Sequence, residues 1–179
     1  MGNTANVIYG PAQLFIAPAG TAQPTLTGSA TNFAAFAQPG FTDDGIEFDY
    51  TATIKDVMVD ELTSPAAVIL TAEKLVITAK LAEATLQNLF YAIAGAVQVS
   101  TTHLTTGGLT APNEFMLGVM GPAPTTNKTR QILVYRTIQK AAVKMHFQRK
   151  DKVIFNCQFE ALADSTKTLG ANLCNIQDF

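Results

Sequence analysis

Three features of the sequence predict a mostly-β chain, an antiparallel sandwich or barrel of about seven strands carrying one short α-helix. Apolar and polar residues alternate with a period of two in most stretches, Gly/Pro/Asn/Asp-rich breaks separate those stretches, and one stretch has a helical period. Both periods meet between Glu73 and Gly95. Leu75, Ile77, Ala79 and Leu81 alternate with Lys74, Thr78 and Lys80, which places apolar side chains on one face of a strand. Val76 is the one break. After Ala82 the spacing changes, so that Leu86, Leu89, Phe90 and Ile93 form one stripe of a helix over 83–94. Glu83 is expected in its first turn, where a negative charge suits the helix dipole, and Gly95 as its stop.

In chain order, the first expected strand is Val7 to Ala17, with a bend at Gly10-Pro11 that switches its facing. From Pro18 to Gly40 the composition turns to Ala, Thr, Gly, Pro and Ser, which predicts a long loop with Phe33 and Phe36 as its large anchors. A structureless loop of this length tends to be functional, so Phe33 and Phe36 are candidates for an arm reaching a neighbouring subunit, set against a plain insertion. Ile46, Phe48, Tyr50, Ala52 and Ile54 then alternate with Glu47, Asp49, Thr51, Thr53 and Lys55, the pattern of a half-buried strand. Lys55 to Pro65 mixes acids with Val57, Met58, Val59 and Leu62, too apolar for a solvent loop, and suggests a contact. Val97 to Pro112 reads as a loop, Asn113 to Gly121 as a short strand, and Pro122 to Thr129 as a turn. A hairpin is expected from Arg130 to Gln148 and Lys152 to Ala163, turning across Arg149, Lys150 and Asp151. Val143, Met145 and Phe147 share a face of its first arm, and Val153, Phe155, Cys157 and Phe159 a face of its second. One domain is expected over 1–179: strand and extended loop in 1–42, a β core in 43–165, and a tail in 166–179.

With 179 residues, burial of somewhat under ~70% of the unfolded surface is expected. Only 15% of residues are charged, the net charge is −2 and 47% are apolar, which fits a surface covered largely by copies of the same chain. The N-terminus lacks the basic and apolar regions of a secretion signal, Asn6 stands where a myristoylation motif wants Ser or Thr, and no run of ~18 apolar residues exists to span a membrane. Cys157 and Cys174 are too few for a disulfide framework and are expected as reduced thiols.

The acidic segment TDDGIEFDYTATIKDVMVDE (Thr42 to Glu61), a Ser64-Pro65 break, the strand AAVILTAEKLVITAKLAE and the helix ATLQNLFYAIAG follow one another in an order that resembles the tail tube proteins of long-tailed bacteriophages. The similarity covers Gly40 to Gly95 well and the C-terminal hairpin loosely. It implies a subunit that closes into hexameric rings stacked into a hollow tube through which DNA passes without specific binding. It also implies tape measure, tail terminator and baseplate or tip proteins as partners, no membrane, and a place in the virion tail after assembly in the host cytoplasm. By the same resemblance the loop bearing Asp56, Val57, Met58, Val59, Asp60 and Glu61 stacks on the next ring. A tube or hub protein of a contractile injection system, or a small-ligand β-barrel, stays open at this point.

Charge is segregated along the chain. Asp43, Asp44, Glu47, Asp49, Asp56, Asp60 and Glu61 accompany one base, Lys55, whereas 128–152 carries Lys128, Arg130, Arg136, Lys140, Lys144, Arg149, Lys150 and Lys152 with one acid, Asp151. Opposite segments of this kind can pair between subunits, with Lys128, Arg130, Arg149, Lys150 and Lys152 as the basic partner. A conduit wall should not hold phosphates, since each neutralised phosphate adds affinity. Glu47 and Asp49 are the candidates for a repelling wall, and Lys74, Lys80, Lys140 and Lys144 leave its sign open. Catalysis finds no support: His103 and His146 lack a carboxylate or Cys at triad or metal spacing, Asp43-Asp44-Gly45 is turn chemistry, and Gly107-Gly108 precedes no helix start. No enzyme, cofactor or metal is expected.

Overall fold

The computed structural model describes residues 7–61, 63–108, 111–124, 128–147, 149 and 152–179. Its strands are β1 (Gln13–Pro18), β2 (Thr42–Val57), β3 (Ala67–Leu81), β4 (Val97–Ser100), β5 (His103–Thr105), β6 (Glu114–Pro122), β7 (Thr129–Gln139), β8 (Phe155–Ala161) and β9 (Cys174–Asp178), with one α-helix, α1 (Leu86–Ala92). Seven strands form one antiparallel sheet in the order β1-β6-β7-β8-β3-β2, with β9 on β7, and β4 and β5 make a separate hairpin. The sandwich arm of the expected fold class therefore holds; the barrel arm does not, because the sheet does not close.

Two layers arise because β7 shares one edge between two partners. Arg130 to Val134 pair with β9, and Thr137 to Gln139 pair with β8. Beyond that fork, the apolar faces of β3 and β8 (Leu75, Ile77, Ala79, Leu81, Phe155, Cys157, Phe159) pack on Leu14, Ile16, Phe115, Leu117, Val119 and Val134 from β1, β6 and β7. One end of this core is plugged by α1, whose Tyr91 and Phe90 rings meet Phe115 edge-on at 5.4 and 5.8 Å. The other end stays open as a cleft of about 240 Å³ lined by Tyr9, Ile46, Phe48, Ile77, Val119 and Pro122 among others.

A second core covers the opposite face of β1, β6 and β7. Phe15, Ala17, Met116, Leu133 and Tyr135 project there and are covered by Leu26, Phe33 and Phe36. The stretch expected as a bare loop contains a 3₁₀ turn, Ala30–Phe33, capped by Ser29, and Ala37 exchanges two 2.8 Å backbone hydrogen bonds with Ile16. Phe33 stacks on Phe15 with centroids 4.8 Å apart. Gly118 makes this possible, since a Cβ there would overlap the Phe33 ring.

Several expectations need correction. The first strand begins at Gln13 rather than Val7. The helix begins at Leu86 behind an N-cap at Thr85, whose hydroxyl accepts the Asn88 N–H. Glu83 lies before that cap, and its carboxylate accepts the Phe41 N–H instead of facing the helix dipole. The buried helix face is Asn88, Tyr91 and Ala92, because the Asn88 amide donates to the carbonyls of Pro39 and Glu83 and so binds the helix to the chain entering β2. The expected stripe of Leu86, Leu89, Phe90 and Ile93 is half-buried. The 97–112 loop contains the β4–β5 hairpin, and the expected tail contains β9, which completes the fork on β7. The C-terminal hairpin is paired only near its base, and Val143, Met145 and Phe147 lie in no strand. The turn assigned to Arg149, Lys150 and Asp151 includes residues 150 and 151, which lie outside the described residues, as does Leu62.

Gly118→Ala is expected to lower stability by about 1–3 kcal/mol through overpacking against Phe33. Urea unfolding of the dilute protein measures this. The double variant with Phe33→Leu should recover part of the loss, because the two sites are coupled through one contact.

Candidate functional site

The most unusual surface is the β2–β3 hairpin. Its register pairs Ile46 with Ala79, Phe48 with Ile77 and Tyr50 with Leu75 on the core-side face, and Glu47 with Thr78, Asp49 with Val76 and Thr51 with Lys74 on the other. The expected bend at Asp43-Asp44-Gly45 is a bulge there, with Asp44 at φ 60° and Gly45 at φ 79°, conformations that Asp and Gly tolerate. A second bulge at Thr53/Ile54 shifts the register, so that Ile54, Leu70 and Val68 continue one face while Ile69 and Val57 take the other. The tip is therefore apolar on both faces.

Sequence alternation predicted β2 as half-buried. In the folded chain, β3 buries its own apolar side chains, but β2 lies at the sheet edge beyond the core, leaving Tyr50 49% and Ile54 62% exposed. Val57, Met58, Val59, Val68, Ile69 and Leu70 are exposed as well. Asp56, Asp60 and Glu61 flank them in solvent. The residues assigned to ring stacking thus sit together at the hairpin tip. The contribution of Val68, Ile69 and Leu70 was missed, although the unalternated run Ala66-Ala67-Val68-Ile69-Leu70 after Pro65 signals a strand with two apolar faces.

The second face of the β2-β3-β8 layer is polar, and its charges are distributed unevenly. Glu160 accepts Lys140 at 2.5 Å and Lys74 at 3.3 Å, and Lys80 pairs with Asp44 at 2.5 Å. Away from this face, Arg136 on β7 grips Glu114 on β6 with two 2.9 Å hydrogen bonds. Glu47 and Asp49 are exposed and pair with no cation among the described residues. Lys80 is balanced by Asp44, whereas Lys74 and Lys140 share the one carboxylate of Glu160; with Glu47 and Asp49 these seven side chains sum to −1, which Lys144 would cancel.

The acidic and basic segments meet within the chain where Lys152 bonds Asp43 at 2.5 Å. Arg130 is bidentate to Asp178 at 2.6 and 2.7 Å. Lys128 and Arg149 are exposed, and Lys150 lies outside the described residues. Phe33 and Phe36, the proposed arm anchors, are buried in the second core of their own chain. His103 and His146 are exposed on different segments, and no group of three or more His, Cys, Asp or Glu among the described residues could hold a metal. Both cysteines are free; burial pushes the Cys157 thiol up to about 12 and raises that of Cys174. Among the described residues, no helix is long and apolar enough to cross a membrane.

A family model described as "Phage tail tube protein" matches residues 1–175. The chain matches no curated protein.

The Lys140 ammonium, with Lys74 beside it, holds the Glu160 carboxyl below its ordinary value against the opposing effect of partial burial. With the folded value below the unfolded one, this stabilisation is present above the unfolded carboxylate range (about 4.3 for Glu) and is lost as pH falls through the folded value. Glu160→Gln should therefore cost about 0.5–1 kcal/mol at neutral pH, and its unfolding midpoint should converge on that of the unaltered protein at an acidic pH below the folded carboxyl's lowered value. Parallel urea titrations at the two pH values check the convergence.

Proposed function

The chain belongs to the phage tail tube protein family, and from that membership we propose that it closes into hexameric rings, which stack into a tube that conducts DNA. A member of this family is a structural component of the virion tail. The observation that carries the finer reading is the uncovered apolar hairpin: Tyr50, Ile54, Val68 and Leu70 are exposed on one face and Val57 and Ile69 on the other, with Met58 at the tip, apolar surface that a monomer has no use for.

Assembly is the mechanism. Ring closure joins strand edges of neighbouring subunits, the free edge of β2 being the longest available, and extends the polar β2-β3-β8 face into the tube wall. Stacking inserts the tip, Asp56 to Glu61 with Val68 to Leu70, into the adjacent ring. The flanking acids Asp56, Asp60 and Glu61 meet exposed bases such as Lys128 and Arg149 of another copy, which gives stacking a direction. On the wall, Glu47 and Asp49 supply unpaired negative charge, while Lys80 is bonded to Asp44 and Lys74 and Lys140 share Glu160, which weakens their pull on a phosphate. DNA then slides without a strong site to arrest it. The other partners of this reading are the tape measure, terminator and baseplate or tip proteins, with assembly in the host cytoplasm.

Val57→Asp tests the stacking assignment. A buried carboxylate without a partner costs several kcal/mol, and each 1.4 kcal/mol is tenfold in affinity. Electron microscopy should show no tubes at about 100 times the concentration at which the unaltered protein assembles. Thermal melting of the monomer should stay nearly unchanged, since Val57 is exposed at the hairpin tip. Normal tubes from this variant would remove the tip from the interface.

A further inference from the structure

Residues Ala142 to Phe147 carry the period-two pattern of a strand, with Val143, Met145 and Phe147 alternating with Lys144 and His146, yet they run beside no strand in the folded chain. The reason lies at the end of β7. There the Gln139 side chain accepts the Gln158 N–H at 2.7 Å and donates to the Ala92 carbonyl at 3.0 Å, with the Asn156 carbonyl at 3.5 Å. A side chain thus takes the β8 edge positions that continued pairing would use, and the chain bends away at Ala141. Val143 packs on the core, while Met145 and Phe147 stand 47% and 78% exposed.

We propose that Ala142–Phe147 is a strand completed only on assembly, adding to the free outer edge of β2 in a second copy of this chain. The inference rests on the ring-forming reading and names the segment that closes the ring. Three observations support it. Among the described residues no strand pairs with the outer edge of β2 along Thr42–Val57, whereas the outer edge of β1 is bonded to Ala37 and β9 is only five residues long. The apolar faces match, Met145 and Phe147 beside the exposed Phe48, Tyr50 and Ile54. The polar faces are complementary, the Lys144 ammonium and the His146 imidazole beside Glu47 and Asp49, the two wall carboxylates that pair with no cation among the described residues. A segment of six residues spans about 20 Å at 3.3 Å per residue, shorter than β2, so the whole segment can pair.

Edge pairing directs alternate N–H groups at the partner, and this gives the test its signature. The unaltered protein and the single variants Lys144→Pro, Met145→Pro and His146→Pro are compared by sedimentation velocity over rising concentration. Proline removes a donor, so the proposal requires 144 and 146 to respond alike and 145 differently. The affected class should need at least about tenfold more protein to assemble and the other class clearly less, with monomer melting unchanged in all three. Lys144→Glu should weaken assembly, and adding Asp49→Lys to it should restore part of the loss. If all three proline variants assemble like the unaltered protein while Val57→Asp does not, this proposal is overturned and the assembly reading stands. Equal loss in all three, or a lowered monomer melting temperature, also overturns it. An unaltered protein that never assembles removes both.

Discussion

The architecture depends on β7 giving one edge to two strands. Its first half holds β9 and its second half holds β8, so the sheet cannot continue flat and divides into two layers. The core-facing residues of β3 and β8 then lie over β1, β6 and β7. The same division pushes β2 to the far end of the sheet order, past the core. A strand in that position has a partner on one side only and little beneath its apolar face. The exposed hairpin is therefore a direct consequence of how the core is built.

An edge strand of sixteen residues with aromatic and branched side chains in solvent invites association, and proteins ordinarily blunt such edges with charges or bulges. Both devices are present. The bulge at Thr53/Ile54 twists the tip, and Asp56, Asp60 and Glu61 surround it with like charge. These features discourage indiscriminate pairing of two hairpins without covering the apolar surface, which favours association with a differently charged part of another copy. The polar face is arranged unevenly as well: Lys80 is tied to Asp44, Lys74 and Lys140 share Glu160, and Glu47 and Asp49 pair with no cation among the described residues.

What the sequence revealed depended on the range of the interaction involved. Local periodicity located β2, β3, β6 and β8, and correctly placed Leu75, Ile77, Phe155, Cys157 and Phe159 inside. It failed where a single long-range contact decided the outcome. Glu83 fits a helix first turn by itself, yet the Phe41 N–H and the Asn88 amide set the helix start one turn later. Phe33 and Phe36 look like stray anchors in a loop, because nothing in their neighbourhood reveals that Gly118, far along the chain, leaves room for a ring. Val143 to Phe147 has strand alternation, but Gln139 fills the edge it would need. At the tip, Asp56 to Glu61, the exposed apolar character was legible because an acidic loop has no local reason to be so apolar. Alternation also marks a face as apolar without saying whether its own chain or another covers it, which is why β2 read as half-buried.

Hydrogen–deuterium exchange of the hairpin, measured by mass spectrometry on the dilute protein and on its assembled fraction, tests the central claim most directly. If copies of this chain cover the β2–β3 hairpin, peptides spanning 46–59 and 67–72 will exchange quickly in the dilute protein and slow strongly on assembly, while core peptides from β6 and β7 stay slow in both. Assembled particles in which the hairpin still exchanges as in the monomer would contradict the account, because they would hold together through some other surface.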